Sequence, residues 1–377
     1  MSIEQISPAE ALQRQRSGAV LVDVRDSHER VSGFATGALA IASSELVADP
    51  QTALPRIEAE VVLICERGGR SLKAAQALHA AGYRRLASVD GGTARWIAEG
   101  LPTSRPGGEV DLDFHERYSR HLRLPEVGEA GQRKLQAARV AMVGAGGLGS
   151  PAAYYLAAAG VGTLVLADDD VVDRSNLQRQ ILHTEARIGM PKVESARIAL
   201  SALNPRVVVE AFGERISAAN VERLIEGADV VVDGADNFPA RYLLNDACVK
   251  LGKPLVYGAV HRFEGQVSVF DAGRRRGVAP CYRCLFPQPP PPEAAPNCAE
   301  AGVLGVLPGV IGLLQATEAI KLILGIGDPL AGRLLHFDAL AMRFRETRLG
   351  ADPDCALCTP LTPFPGYSDY AAFCAAR

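Results

Sequence analysis

The sequence predicts an α/β fold built as two successive domains, a small one followed by a larger one. Three observations lead there. The chain has 377 residues, more than one hydrophobic core usually serves. Short apolar runs alternate with segments of helical period from end to end. A stretch rich in Pro, Gly and charge, "TSRPGGEVDLD" at 103–113, breaks that alternation and reads as a connector. The boundaries that follow are a first domain at 1–104, a linker at 105–113, a second domain at 114–360 and a loosely ordered tail at 361–377.

Each element has its own signal. In the first domain "SPAEALQRQ" and "SLKAAQALHAAG" have helical spacing, the latter ending at Gly82, while "AVLVDVR", "VVLICER" and "RLASVDGG" read as strands. In the second, "ARVAMVGAGGLGSPAAYYLAAAG" is a strand, a glycine-rich turn and a helix. "GTLVLADDD", "ADVVVDGADN" and "PLVYGAV" are further strands, and "PQPPPPEAAPN" at 287–297 is a proline-rich loop. The run "AGVLGVLPGVIGLLQATEAIKLILG" is apolar but interrupted by Pro308, Gln315, Glu318 and Lys321. It reads as a buried core or interface helix, not a membrane span.

Composition excludes some classes. The formal net charge is −3, so no basic field favours nucleic acid as a partner. "MSIEQISPAEALQRQ" lacks the basic-then-apolar layout of a signal peptide. Of eight cysteines, four fall in two C-x-x-C pairs, which suits metal or redox chemistry in a reducing cytoplasm. A cytoplasmic protein without membrane contact is the expectation.

The glycine turn carries chemistry. Gly144, Gly146 and Gly149 directly follow a strand and open a helix, so the backbone can approach a phosphate closely with amides pointing at it. Asp168 ends the next strand, where a carboxylate would accept a ribose hydroxyl. Alone, this pattern speaks for a nucleotide without saying which, and its default reading is an NAD(P)-dependent oxidoreductase. The following stretch holds Asn176, Arg179 and Lys192. Cations there suit a triphosphate, whose departing pyrophosphate concentrates negative charge. Asp233 and Asp236 close a later strand in "DGADN", where a carboxylate could hold Mg²⁺ against phosphates.

The cysteines divide by context. Cys281 and Cys284 in "CYRC", with Cys355 and Cys358 in "CALC", offer four thiolates to a closed, structural Zn²⁺ site. A thioredoxin-like redox pair would need a dithiol at a helix start in a thioredoxin setting, and that context is missing for either pair. Cys248 lies in a helical run and reads as a core thiol, Cys374 has no evident partner, and Arg274–Arg276 read as an exposed tip. Cys65 ends an apolar strand and opens the loop "CERGGRS", formed with Arg67, Gly68, Gly69, Arg70 and Ser71. Successive amides and a helix start would lower its thiol pKa. A cysteine phosphatase places one more residue between Cys and Arg than the four found here. The smaller ring suits one added sulfur better than a tetrahedral phosphate. A plain structural thiol is the remaining reading.

Taken in order, "RYSRHLRLPEVGEAGQRKL", "VGAGGLGSPAAYYLAAAGVG", "SNLQRQILH", "GMPKVESA", "DGADN", "EGQVSVF", "CYRC" and "CALC" resemble the MoeB/ThiF family over residues 114–360. That family is related to ubiquitin-activating (E1) enzymes. "LVDVRDSHERVSGFATGALAI", the Cys65 loop and "VDGGTARWIAEGLP" resemble a rhodanese domain over 1–104. The resemblance implies a rhodanese α/β domain followed by a Rossmann-like E1/ThiF domain with a structural zinc site. It implies ATP-dependent adenylation of the C-terminal Gly-Gly carboxylate of a ubiquitin-like sulfur-carrier protein, then sulfur transfer from a persulfide on Cys65. A cysteine desulfurase or thiosulfate would supply the sulfur.

Carried onto this sequence, Gly144, Gly146, Gly147 and Gly149 form the nucleotide loop and Asp168 takes the ribose. Asn176, Arg179 and Lys192 hold phosphates, and Asp236 serves Mg²⁺. Arg120 would enter the partner protomer's ATP site, which implies a homodimer. Cys298 would link to the activated carrier or reduce the acyl disulfide; its other reading is an incidental loop cysteine. Better-known fusions place the rhodanese domain second, whereas here it comes first. The rival functions are an NAD(P) oxidoreductase and a non-catalytic carrier-binding scaffold.

Overall fold

The computed structural model describes residues 3–105, 111–289 and 302–368. The described chain forms two compact units, one reaching Pro125 and one starting at Glu126.

In the first unit five parallel strands form a sheet. From edge to edge they are Glu4–Ile6, Leu86–Val89, Val61–Ile64, Val20–Asp23 and Leu39–Ala40. Alternation along the central strand explains the layering. Val61, Leu63 and Cys65 pack with Leu46, Ala74 and Leu78 on one face, whereas Val62 and Ile64 pack with Ala11 and Trp96 on the other. Helices Ser43–Ala48 and Gly69–Ala80 therefore cover one side, and Pro8–Arg16 and Gly92–Ala98 the other. The edge strand Glu4–Ile6 is not foreseen by the sequence, because three residues are too short to display a period. The helix expected from Ser71 begins two residues earlier, at Gly69, which brings its first amides into the Cys65 loop.

The second unit is built on an eight-stranded sheet. Its order is Val208–Phe212, Thr163–Ala167, Arg139–Val143, Val230–Asp233, Leu255–His261, Glu264–Phe270, Arg333–Asp338 and Arg343–Arg348. The first five strands are parallel and the last three join antiparallel. Strand order reverses between Arg139–Val143 and Val230–Asp233, so the crevice beyond their carboxyl ends is the switch point where such sheets bind ligands. Helices Gly149–Ala159, Lys192–Leu203 and Val306–Leu324 bury one face; Val221–Ile225 and Phe238–Leu251 bury the other.

Helix Val306–Leu324 is long and apolar enough to span a membrane by length and composition, but it is a core helix. It lies against helix Gly149–Ala159 and the sheet. Its buried Gln315 donates to the backbone carbonyls of Asp233 (2.7 Å) and Val256 (3.2 Å). Its Glu318 accepts from Lys321 (2.6 Å) and from the Leu330 amide (2.8 Å). The Gln315 amide nitrogen and the Glu318 carboxylate thus find partners inside the protein, whereas Gln315 Oε1 is buried with no hydrogen-bond partner among the described residues.

The tail departs from its expectation as far as it is described. The Tyr367 hydroxyl donates to Glu222 at 2.8 Å, and Lys250 lies over the rings of Phe364 and Tyr367. These aromatic anchors pin the segment to helix Phe238–Leu251.

Candidate functional site

The Cys65 loop starts where strand Val61–Ile64 ends. Gly68 adopts φ +93°, a turn that side-chain-bearing residues resist, and it caps helix Gly69–Ala80. This turn aims the Gly68 amide at Cys65 Sγ, 3.2 Å away. Ser71 Oγ sits 3.3 Å from the same sulfur and 2.9 Å from the Gly68 carbonyl, and it accepts from Ser88 at 2.9 Å. Burial pushes the Cys65 thiol up, but hydrogen bonds from the Ser71 hydroxyl and the amides of Ser71, Arg67 and Gly68 outweigh it. The thiol is held below its ordinary pKa. The far side of the loop is locked by backbone: Thr93 and Ala94 amides donate to the Cys65 and Glu66 carbonyls at 2.7 and 3.1 Å.

The charges around this loop are mostly spoken for. Arg25 is buried and pairs with Asp23 at 2.8 Å, and it also reaches Glu66 at 3.1 Å. Arg70 does not lie free beside the thiol. Both of its terminal nitrogens donate to Glu29, at 2.6 and 2.7 Å, and Arg123 approaches the same carboxylate at 3.2 Å. Burial raises the Glu29 pKa, but the Arg70 hydrogen bonds, the Asp26 amide and the two guanidinium charges bring it down to about 2. Arg67 is exposed and makes no ion pair among the described residues. Arg120 also belongs to this unit and is exposed.

In the second unit the loop after Arg139–Val143 meets the loop after Val230–Asp233. Gly144 has φ +95°, and a Cβ there would stand 2.4 Å from the Gly234 carbonyl oxygen. Glycine is therefore required for the two loops to approach. Asp168 fixes this turn by accepting from the Ala145 amide at 2.8 Å and the Asp170 amide at 2.9 Å. Burial raises its pKa against the opposing Lys192 charge. The amides of Gly146 and Gly147 donate to no group among the described residues. These unpaired donors at a helix start form a cradle for an anion.

The cations flank this cradle. The Arg179 side chain passes Gly147, with its Cγ 3.7 Å from the position of a Cβ there, and donates to the Ser175 carbonyl at 3.0 Å. Lys192 is buried and pairs with the exposed Asp170 at 2.8 Å. The Asn176 side chain is engaged locally, accepting from the Asp173 amide at 3.2 Å. The two carboxylates of "DGADN" differ. Asp233 is buried and held by Arg241 at 2.9 Å, whereas Asp236, in the loop that follows the strand, is exposed.

Cys281, Cys284, Cys355 and Cys358 converge, with all four sulfurs within 4.8 Å of one another. Three sulfur pairs lie 3.9, 3.7 and 3.3 Å apart. Four sulfurs about 2.3 Å from a tetrahedral zinc would stand roughly 3.8 Å apart, so the donor set fits that ion. Cys248 is a core thiol whose pKa burial drives upward. Cys298 and Cys374 lie outside the described residues.

The sequence does not reveal Glu29, Ser88, Arg241 or His183. The only local hint for Arg241 is its place four residues after the helix cap Asn237 in "DNFPAR". His183 closes the "SNLQRQILH" run without a pattern that marks it.

Both parts of the chain are similar to known families. The ThiF family pattern matches residues 118–357, and the rhodanese-like domain pattern matches 7–99. The chain is 54% identical over 249 residues to the SAMP-activating enzyme E1 of Haloferax volcanii, covering 66% of this chain and 90% of that protein. It is 52% identical over 263 residues to the sulfur carrier protein adenylyltransferase of Thermus thermophilus, covering 70% and 97%. The adenylyltransferase and sulfurtransferase MOCS3 of Drosophila sechellia is 51% identical over 274 residues, covering 71% of this chain and 60% of that protein. Among solved structures, E. coli MccB superposes with a TM-score of 0.57 at 22% identity, over 70% of this chain and 78% of that one. This last likeness speaks to the fold alone. The chain is thus a member of the ThiF family, with a rhodanese-like domain ahead of its adenylyltransferase-type domain.

Proposed function

We infer that this protein adenylates the C-terminal Gly-Gly carboxylate of a ubiquitin-like sulfur carrier with ATP and then replaces the adenylate by sulfur. One observation carries the reading. A chain of the ThiF family holds an unpaired-amide glycine loop at its switch point and, in its rhodanese-like part, a cysteine kept below its ordinary thiol pKa. The first supplies an activated acyl group that accepts the sulfur, and the second supplies the sulfur. The names of its relatives, sulfur carrier protein adenylyltransferase and adenylyltransferase and sulfurtransferase, point the same way.

In the first step a carrier carboxylate oxygen attacks the α-phosphorus and pyrophosphate leaves. No protein nucleophile is needed, so positioning and charge do the work. The Gly146 and Gly147 amides, Arg179 and Lys192 meet the phosphates, Asn176 steadies their turn, and Asp168 takes the ribose. Lys192 reaches the triphosphate by leaving Asp170. Arg120 acts in the partner protomer of a homodimer. Asp236 would hold Mg²⁺, which neutralises phosphate charge when bound. The four-cysteine cluster would hold zinc, whose contribution is to folding.

In the second step the outer sulfur of a Cys65 persulfide attacks the acyl carbon and AMP leaves. An acyl disulfide then joins Cys65 to the carrier. A thiol, supplied by Cys298 or a small reductant, attacks Cys65 Sγ and releases the carrier thiocarboxylate. Glu29 neutralises Arg70, so exposed Arg67 is the loop cation that draws an anionic sulfur donor such as thiosulfate, or the persulfide of a cysteine desulfurase. The working division is 1–104 for sulfur transfer and 114–360 for adenylation, in the cytoplasm. The test is carrier-dependent exchange of labelled pyrophosphate into ATP. Absence of exchange with every Gly-Gly-ending carrier of the source organism would refute the adenylation step.

A further inference from the structure

We propose that His183 is the positioning residue of the nucleotide loop, and that one neutral imidazole sets the aim of the phosphate-facing amides. This rests on the adenylation reading and adds a residue to it. His183 is buried and both ring nitrogens are engaged. Nε2 lies 3.0 Å from the Ala145 carbonyl oxygen, and Nδ1 lies 2.9 Å from Ser195 Oγ. A carbonyl can only accept, so Nε2 carries the proton and the bare Nδ1 accepts from the serine hydroxyl. Burial, together with the charges of Lys192 and Arg187, opposes a second proton more than the Ala145 carbonyl favours it.

The geometry makes Ala145 a fixed point. Its amide is tied to Asp168 at 2.8 Å and its carbonyl to His183, with Ser150 Oγ adding a longer 3.3 Å contact. The peptide planes on both sides of the Ala145 Cα are therefore set. In a trans peptide the Gly146 N–H points opposite to the Ala145 C=O. Anchoring the carbonyl on His183 therefore turns the Gly146 amide outward, and that amide donates to no group among the described residues. The same ring also gathers the cationic elements. His183 follows the Asn176–Gln180 turn that carries Arg179, and its own amide bonds to the Gln180 carbonyl at 3.1 Å. Ser195 stands three residues after Lys192 on the same helix. One imidazole thus ties the glycine loop, the Arg179 turn and the Lys192 helix together.

Two polar replacements separate aim from packing. In His183→Gln the amide nitrogen reaches the place of Nε2 and keeps the bond to Ala145. In His183→Asn the shorter chain reaches only the place of Nδ1 and keeps the bond to Ser195. The measurement is kcat and KM for ATP in pyrophosphate exchange, with melting temperature and with thiosulfate-to-cyanide sulfur transfer by the Cys65 loop as controls. Expected is a loss of about 10-fold or more in kcat/KM for ATP in His183→Asn, mostly in KM, against about 3-fold or less in His183→Gln. Equal losses in the two variants, or none in His183→Asn, would overturn the assignment. If His183→Asn does not fold, Ser195→Ala decides, since it keeps the ring and removes only the group that holds its tautomer. A KM rise of about 3-fold or more supports the assignment, and an unchanged KM overturns it. Should the wild type itself exchange no pyrophosphate, the adenylation reading fails instead, and binding of ATP to wild type and variants still reads the loop.

Discussion

Replacing Gly144 by alanine should sharply reduce adenylation while leaving the sulfurtransfer chemistry of the first unit intact. Two costs act at this position. The backbone sits at φ +95°, and placing a side chain in that region costs about 1–2 kcal/mol. The new Cβ would also stand 2.4 Å from the Gly234 carbonyl oxygen and 2.7 Å from its carbon. Both are backbone atoms, so the loop must move, at a further cost of about 1–3 kcal/mol typical of overpacking. The two loops at the switch point would part, and with them the Ala145 turn and Asp236. If that cost of about 2–5 kcal/mol falls on the bound arrangement, pyrophosphate exchange drops by roughly 30- to 5,000-fold. The assay is steady-state ATP–pyrophosphate exchange beside thiosulfate-to-cyanide transfer on the same preparation. Exchange within about 3-fold of wild type would show that the loop tolerates the side chain and refute the close-approach argument.

Other expectations follow from single contacts. Glu29 has a folded-state pKa near 2 against an ordinary 4.5, so its contribution to stability is present above pH 4.5 and lost as pH falls towards 2. Relative to Glu29→Gln, the first unit should lose at most about 3 kcal/mol over that window; urea unfolding read by the single tryptophan, the buried Trp96, measures it, and parallel curves would contradict it. Ser71→Ala removes a hydrogen bond that lowers the Cys65 thiol pKa. The pH inflection of iodoacetamide labelling at Cys65 should therefore move up towards the ordinary thiol value, and an unmoved inflection would dismiss the serine's role. Arg241→Ala leaves the buried Asp233 carboxylate unpaired and should cost about 3–5 kcal/mol in chemical denaturation, with a loss under about 1 kcal/mol arguing against the pair.

What the sequence made legible was whatever is local in the chain. The glycine turn, the strand-end Asp168 and the two C-x-x-C pairs each occupy a few consecutive residues, and their residue types allow few other uses. The cysteine pairs could be joined at a distance because four thiolates have so few roles. The helix Val306–Leu324 was recognisable as core from its embedded Gln315 and Glu318. Long-range pairings were not legible. Glu29 captures Arg70 across 41 positions, and any carboxylate of the first domain could have done so on pattern alone. The loop sequence does not distinguish Arg70 from Arg67, while the fold gives Arg70 a carboxylate partner and leaves Arg67 exposed. His183 stayed hidden for the same reason: its partners Ala145 and Ser195 lie 38 positions before it and 12 after it, and a lone histidine after an apolar run has no signature. On pattern alone Asp233 and Asp236 look equivalent in "DGADN"; the family resemblance assigns Mg²⁺ to Asp236, and in the fold Asp233 is buried whereas Asp236 is exposed.

The central claim is that one chain both activates a carrier carboxylate and delivers sulfur to it from Cys65. Mass spectrometry of the carrier after incubation with ATP, Mg²⁺, thiosulfate and a reductant tests it most directly, with pyrophosphate exchange followed in parallel. Wild type should replace one oxygen of the carrier's terminal carboxylate by sulfur. Cys65→Ala should retain full exchange and yield no thiocarboxylate. Undiminished thiocarboxylate from Cys65→Ala, or exchange lost together with the product in that variant, would contradict the account.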